Sequence, residues 1–145
     1  MTIDRDLAPY GAFLLRVALG IMWLAHAGLK FFVFGIAGFA GWLDAQGLPS
    51  VFAWPVPLME TGLGLLILFG FYSRQAAVLL LPILAVATTT HIGNGWVFSA
   101  EGGGWEYPVF LIVAQIAHIL IGEGAFAARP AALPFGGATV SRANA

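Results

Sequence analysis

The chain has 145 residues, of which 60% are hydrophobic and 9% are charged, with a formal net charge of −1. A soluble domain has about 25% charged residues, so this chain has too little polar surface to coat a globule in water. The composition therefore indicates an integral membrane protein in contact with a lipid bilayer, and it does not indicate a nucleic-acid partner. The absence of cysteine excludes disulfides, thiol chemistry and cysteine-ligated iron–sulfur clusters.

The first predicted span, at about residues 10–34, is apolar but carries Arg16, His26 and Lys30. Each ionisable group at the centre of a bilayer costs roughly 3 kcal/mol or more. On a helix with about 3.6 residues per turn, the three side chains lie within about 80° of arc. One polar stripe therefore follows an otherwise apolar helix, and the rest of the chain must cover it.

The stretch 35–50, GIAGFAGWLDAQGLPS, is too short and too polar to span the membrane. It predicts either an interfacial half-helix or a re-entrant piece that ends at Gly47-Leu48-Pro49. Both alternatives stay open at this point.

Three further spans are predicted at about residues 52–71, 75–92 and 106–121. Glu60 is the acid of the second span, and Gly62 and Gly64 in that span are expected to permit close helix contact. The expected fold is therefore an all-α membrane protein, a four-transmembrane-helix bundle over residues 10–124. Residues 1–9 form a short N-terminal segment, and residues 125–145 form a tail that is expected to be disordered.

The basic residues predict the orientation of this bundle. With four spans, the two termini and the turn at Arg74 share one side, and the other two loops carry Asp44 and Glu101. The termini and that turn hold Arg5, Arg74, Arg129 and Arg142. Because basic residues favour the cytoplasmic side, both termini are expected in the cytoplasm, with the protein in the inner (plasma) membrane.

In this orientation, four helices bring ionisable residues into one layer near the outer face. The layer consists of His26, Lys30, Glu60, His91 and Glu106. Convergence from four separate segments is the strongest functional signal in the chain. His118, with Gln115 three residues before it, lies near the inner end and is expected to have a structural or interfacial role.

Each member of the layer also has a structural interpretation. Lys30 would extend its ammonium to the interface, and Glu60 would pair with Lys30 or with Arg16. His91 and Glu106 would be ordinary helix-end residues.

Three functional interpretations compete with these. The first is a quinone or small-molecule pocket, in which His26 and Lys30 hydrogen-bond carbonyl oxygens while Glu60 and His91 move protons. The second is a metal site of histidines and carboxylates, which no HxxxH or ExxH spacing supports. The third is an ion or solute path lined by the charges.

Several motifs carry a resemblance to a known family. They are LLR at 14–16, LAHAGLKFF at 24–32, LPS at 48–50, METGLGLL at 59–66, GFYSR at 70–74, HIGNGW at 91–96 and GGGWEYP at 102–108. In order and spacing the chain resembles the DoxX family of small four-helix membrane proteins over about residues 10–124. The resemblance implies a link to the membrane subunits of thiosulfate:quinone oxidoreductase, to the related DoxD proteins and to terminal quinol oxidase assemblies.

Nine residues of this chain match the pattern of polar residues in the family. They are Arg16, His26, Lys30, Glu60, Arg74, His91, Asn94, Glu106 and Tyr107. The leading hypothesis is a membrane subunit of an oxidoreductase that interacts with the quinone pool in sulfur-compound oxidation. In this hypothesis Glu60, His91 and Glu106 are catalytic. The cofactor-binding residues are Arg16, His26, Lys30, Asn94 and Tyr107, and no residue is assigned to a metal.

The main alternative is not an enzyme. It is a small-solute carrier, or an anchor and assembly partner for a periplasmic protein. Under either hypothesis the expected partners are other membrane or periplasmic subunits or further copies of the chain, because glycine-containing helices with an apolar exterior favour assembly in lipid.

Overall fold

The computed structural model describes residues 4–128, and the regular elements in this part of the chain are helical. The five α-helices are α1 (Ala8–Gly28), α2 (Gly35–Ala45), α3 (Pro55–Phe69), α4 (Ser73–His91) and α5 (Glu106–Ile121). A π-helical turn, Leu29–Val33, continues α1, and two 3₁₀ turns cover Ser50–Ala53 and Ile92–Asn94. Most of the tail that was expected to be disordered lies outside the described residues.

Four of these helices form a closed bundle. Helix α1 packs against α3 and α5, and α4 packs against the same two helices. The core between them is apolar and consists of Leu19, Trp23, Ile67, Ala76, Ala77, Leu80, Leu84 and Leu111. The outer surface is also rich in exposed large hydrophobic side chains. A bundle that is apolar inside and outside is typical of a membrane protein.

Three helical stretches are long and apolar enough to cross a membrane: Ala8–Val33, Ser50–Phe69 and Ser73–Asn94. Helix α5 has 16 residues and is also apolar, but it is shorter. At about 1.5 Å per residue it extends about 24 Å, somewhat less than the hydrocarbon core of a typical bilayer. The predicted all-helical membrane fold is confirmed, and a fourth crossing by α5 stays a prediction.

Helices α1 and α3 approach each other closely at two glycines. A Cβ atom on Gly20 would lie 2.7 Å from Leu68 Cα, and one on Gly64 would lie 3.0 Å from Trp23 Cβ. The predicted close contact is therefore confirmed for Gly64. It is wrong for Gly62, where a Cβ atom would meet nothing within 4 Å. Gly62 instead borders an open apolar groove between α3 and α4.

The chain after α5 returns to the bundle. The amide of Ala125 donates to the carbonyl of Pro9 at 2.9 Å, and the amide of Ala128 donates to the carbonyl of Phe69 at 3.1 Å. Residues 125–128, which the sequence placed in the tail, are thus hydrogen-bonded to α1 and to the end of α3. They join the first turn of α1 to the turn between α3 and α4.

Helix α2 lies at the opposite end of the bundle. It packs against the π-helical turn and the 3₁₀ turn Ser50–Ala53. Its buried side chains, Phe39 and Leu43, form a small apolar cluster with Ala53. The helix lies between Gly35 and Gly47, whose φ angles of 68° and 72° are in the left-handed region that favours glycine. The predicted short helix is present, and the choice between an interfacial and a re-entrant position stays a prediction.

Candidate functional site

The centre of the candidate site is a buried ion pair between α3 and the π-helical turn that continues α1. Lys30 Nζ lies 2.9 Å from Glu60 Oε1. The Glu60 side chain is 2% exposed and that of Lys30 is 15% exposed. Of the two partners considered for Glu60, Lys30 and Arg16, the structure selects Lys30. Lys30 belongs to the π-helical turn, a type of irregularity that is frequent at functional sites.

The Lys30 ammonium has further contacts besides the carboxylate. It donates a long hydrogen bond of 3.4 Å to the backbone carbonyl of His26. It also lies 5.3 Å from the centroid of the Phe39 ring, a cation–π arrangement. Phe39 comes from α2, so the short helix contributes part of the surroundings of the ion pair.

Glu60 has one carboxylate oxygen in a hydrogen bond and one without. Oε1 accepts from Lys30 at 2.9 Å, whereas Oε2 is buried and has no hydrogen-bond partner among the described residues. A buried acceptor without a partner costs roughly 1–3 kcal/mol, and more when it is charged. Oε2 is therefore an acceptor at which a ligand with a suitable donor gains binding energy.

His26 and Tyr107 form a second part of the site. The two rings stack with centroids 6.1 Å apart and an interplanar angle of 16°. His26 Nδ1 lies 2.9 Å from the backbone carbonyl of Met22. Since a carbonyl only accepts, this contact assigns the proton of a neutral imidazole to Nδ1 and makes Nε2 an acceptor. His26, Lys30, Glu60 and Tyr107 are thus linked by contacts at one end of the bundle.

His91 and Asn94 contact a loop and not the ion pair. His91 Nδ1 lies 3.1 Å from the carbonyl of Gly102 and 3.0 Å from that of Gly103. Asn94 Nδ2 donates to the same two carbonyls at 3.0 and 2.9 Å. Glu106 follows this loop as the first residue of α5, and its amide donates to the Trp96 carbonyl. The geometry shows that His91 and Asn94 fix the loop before α5. Their predicted part in catalysis or cofactor binding, and that of Glu106, stays a prediction.

Arg16 lies far from this site. It is 14 residues before Lys30 in the sequence, which corresponds to about 21 Å along a helix. Its guanidinium is 1% exposed and donates to the backbone carbonyls of Glu123, Leu68 and Ala125 at 2.9, 2.8 and 3.0 Å. The structure does not bring Arg16 to the other predicted cofactor-binding residues. It places this side chain where α3 ends and the chain returns after α5.

Arg74 has a similar environment at the same end of the bundle. Its Nε atom donates to the carbonyl of Ile119 at 2.8 Å, in the last turn of α5. A cation at this place also interacts favourably with the negative end of the helix dipole. Arg16 and Arg74 thus donate to carbonyl groups in the last turns of α3 and α5, and Arg16 also donates to the segment that follows α5.

Polar side chains inside the bundle form contacts that the sequence did not predict. Trp23 Nε1 donates to Gln115 Oε1 at 2.8 Å, and Gln115 Nε2 donates to the Ala77 carbonyl at 2.7 Å. His118 Nε2 lies 3.0 Å from Ser73 Oγ, and both side chains are fully buried. The only sequence signal for these contacts is the presence of Gln115 and His118 in an apolar span.

The described residues do not include a cluster suited to a metal ion. Within residues 4–128, no three His, Cys, Asp or Glu side chains lie close enough together to hold one. The donor set at the ion pair is one ammonium, one carboxylate and one imidazole. Groups of these types are able to hydrogen-bond to an organic molecule and to exchange protons with it.

Comparison with known proteins identifies one family. A sequence model of the DoxX family matches residues 11–93, more than half of the chain. The matched region runs from α1 to the end of α4 and contains His26, Lys30 and Glu60. Tyr107 and α5 lie outside it. Neither the curated proteins nor the solved structures include a match to this chain.

Proposed function

Because the chain belongs to the DoxX family of membrane proteins, we propose that it is the membrane subunit of an oxidoreductase that interacts with the quinone pool. In this proposal the Lys30–Glu60 site binds the quinone head group. A partner redox subunit exchanges two electrons with the quinone, and this chain gives or takes the two protons that balance them. The family membership supports the membrane location, and the site chemistry supports the quinone.

The observation that carries the proposal is the buried Lys30–Glu60 pair with a free carboxylate oxygen. An intramembrane ion pair is expensive to maintain and is a functional site by default. Conversion between quinone and quinol needs groups that exchange protons at a fixed position, and a carboxylate and an imidazole are the usual ones. Here Glu60 Oε2 and His26 Nε2 are the available atoms.

Aromatic side chains at the site favour a flat ring as the ligand. Phe39 and Tyr107 contact Lys30 and His26, respectively, and Tyr107 is 43% exposed. Rings of this kind pack well against the face or edge of another ring. A quinone head group combines such a ring with polar oxygen atoms.

We further propose that both termini are cytoplasmic, in the inner membrane, and that α5 is the fourth span. The site then lies near the periplasmic face, where a periplasmic redox partner reaches it. Oxidation of sulfur compounds is the proposed source of electrons, through the resemblance to thiosulfate:quinone oxidoreductase subunits.

Gentle purification of the tagged protein from its native membrane tests the proposal, with mass spectrometry of what remains bound. We expect bound quinone and a stoichiometric redox subunit. The double variant Lys30→Met/Glu60→Gln should lose the quinone, while the control Glu101→Gln, on an exposed loop, should keep it. A protein free of both quinone and redox partner would refute the proposal. Uptake of a solute into vesicles would then support a carrier, and a non-redox periplasmic partner would support an anchor.

A further inference from the structure

From the hydrogen-bonding groups at the Lys30–Glu60 site, we infer that it binds the reduced, dihydroxy form of a quinone in preference to the oxidised, dicarbonyl form. The inference rests on the proposed function and adds the redox state of the preferred ligand. The two forms differ in one property that a protein site can distinguish. A quinol hydroxyl donates a hydrogen bond, whereas a quinone carbonyl only accepts one.

Glu60 has one carboxylate oxygen that still needs a hydrogen-bond donor. Its Oε2 atom has no hydrogen-bond partner in the described residues, and the side chain is 2% exposed. As the ionised partner of the Lys30 ammonium, the Glu60 carboxylate only accepts hydrogen bonds. Only a ligand with a donor satisfies this atom. A quinol hydroxyl provides this donor. A quinone carbonyl placed there would bring its partially negative oxygen against the negatively charged carboxylate oxygen.

A quinone carbonyl would need a hydrogen bond from the Lys30 ammonium. An ammonium group has three N–H donors. Here they face Glu60 Oε1 at 2.9 Å, the His26 carbonyl at 3.4 Å and the Phe39 ring at 5.3 Å. A carbonyl ligand would have to displace one of these contacts, whereas a hydroxyl ligand at Oε2 leaves all three in place.

His26 provides a second hydrogen-bond acceptor. Its Nδ1 proton points to the Met22 carbonyl at 2.9 Å, so Nε2 of the neutral ring is also an acceptor. The site thus offers two acceptors, one on α1 and one on α3. This inference differs from the expectation from the sequence that His26 and Lys30 hydrogen-bond carbonyl oxygens.

The charge balance of the site excludes a cationic ligand such as an amine. Lys30 already compensates the charge of Glu60. A cation at Oε2 would give the site a net positive charge inside an apolar bundle, which is costly. A neutral hydroxyl donor satisfies the same atom without adding charge.

Helix α2 is the element that would admit the ligand. Because Glu60 is almost fully buried, the ligand reaches Oε2 only when part of the surrounding protein moves. Phe39 of α2 lies against Lys30, and α2 lies between Gly35 and Gly47, which both have positive φ angles. It packs mainly against the π-helical turn and the 3₁₀ turn Ser50–Ala53, and it contributes no side chain to the core of the four-helix bundle, so its movement would leave that core closed.

The test compares the two redox forms of one probe on the purified wild-type protein in detergent. The probes are decylubiquinol and decylubiquinone, with binding measured by quenching of tryptophan fluorescence without oxygen. We expect the quinol to bind at least about tenfold more tightly, the effect of one hydrogen bond to a charged group. Glu60→Gln replaces an acceptor by an amide that also donates, so this variant should lose the preference or reverse it. The control Glu101→Gln should retain it.

The outcomes separate this inference from the proposed function. Equal affinities, or tighter binding of the quinone, would overturn the inference and leave a quinone site in place. Binding of neither form would overturn both. The wild-type comparison decides between these results even when Glu60→Gln fails to fold.

Discussion

Replacing Lys30 by methionine should destabilise the protein by leaving the Glu60 carboxylate buried without its cation. Met retains much of the aliphatic length of Lys, so the change removes the ammonium with little loss of packing. Lys30 Nζ lies 2.9 Å from Glu60 Oε1, and Glu60 is 2% exposed. The substitution therefore removes the cation from a Glu60 carboxylate that water barely reaches.

The magnitude follows from the burial of the two partners. Removing one partner of a fully buried ion pair costs about 3–5 kcal/mol. Since the Lys30 side chain is 15% exposed, we expect the lower end, about 3 kcal/mol, for Lys30→Met. Glu60→Gln leaves Lys30 partly hydrated and near the His26 carbonyl, so its expected cost is about 1–2 kcal/mol. The double variant buries no unpaired charge and should cost about 2 kcal/mol, well below the sum of the single variants.

The assay is reversible unfolding in mixed micelles, followed by circular dichroism, for the wild type, the two single variants and the double variant. A coupling free energy of about 2–3 kcal/mol between positions 30 and 60 is expected. If the two single effects add within about 0.5 kcal/mol, the pair has no net coupling and the reasoning is refuted. Glu101→Gln serves as the control for removing an exposed carboxylate.

Three further predictions concern the framework of the helical bundle. Arg16→Gln removes donors from three buried backbone carbonyls and should lower the free energy of unfolding by about 3 kcal/mol, whereas the exposed Arg5→Gln should change it by less than about 0.5 kcal/mol. Gly20→Ala should cost about 1–3 kcal/mol in thermal unfolding, because the new methyl group would overlap the backbone of α3. The control Gly11→Ala, with open space around it in α1, should be neutral or slightly stabilising in the same measurement. Gln115→Leu leaves the buried Trp23 indole N–H without its acceptor and removes a donor to the Ala77 carbonyl, so it should cost about 1–3 kcal/mol by chemical unfolding. An unchanged midpoint would contradict these hydrogen bonds.

The helices were predictable because lipid imposes one simple requirement. A membrane span needs a continuous apolar stretch, so hydropathy alone places α1, α3, α4 and α5 within a few residues of their observed ends. Glycine and proline likewise indicate where α2 ends. The π-helical turn at Leu29–Val33 was not predictable, since its backbone register depends on packing against neighbouring segments.

The candidate site was predictable only in part. The spacing of His26 and Lys30 on one helix face, and the single acid of the second span, indicate that an ion pair forms. The contact of Phe39 with Lys30 has no local signal, because an aromatic residue in an apolar segment is ordinary. The hydrogen-bond partners of Arg16 were also not predictable. They are backbone carbonyls, which any residue type provides, and they come from segments distant in the sequence.

Photolabelling with an azido-quinone in native membranes, with labelled peptides identified by mass spectrometry, locates the quinone site. We expect labels on residues 29–45, which hold Lys30 and α2, and on the segment of α3 around Glu60. Unlabelled decylubiquinol should compete, and Lys30→Met/Glu60→Gln should lose the label. Labels confined to the apolar groove of α3 and α4 at Leu63 and Leu79, or labels that decylubiquinol leaves unchanged, would contradict a quinone site at the ion pair.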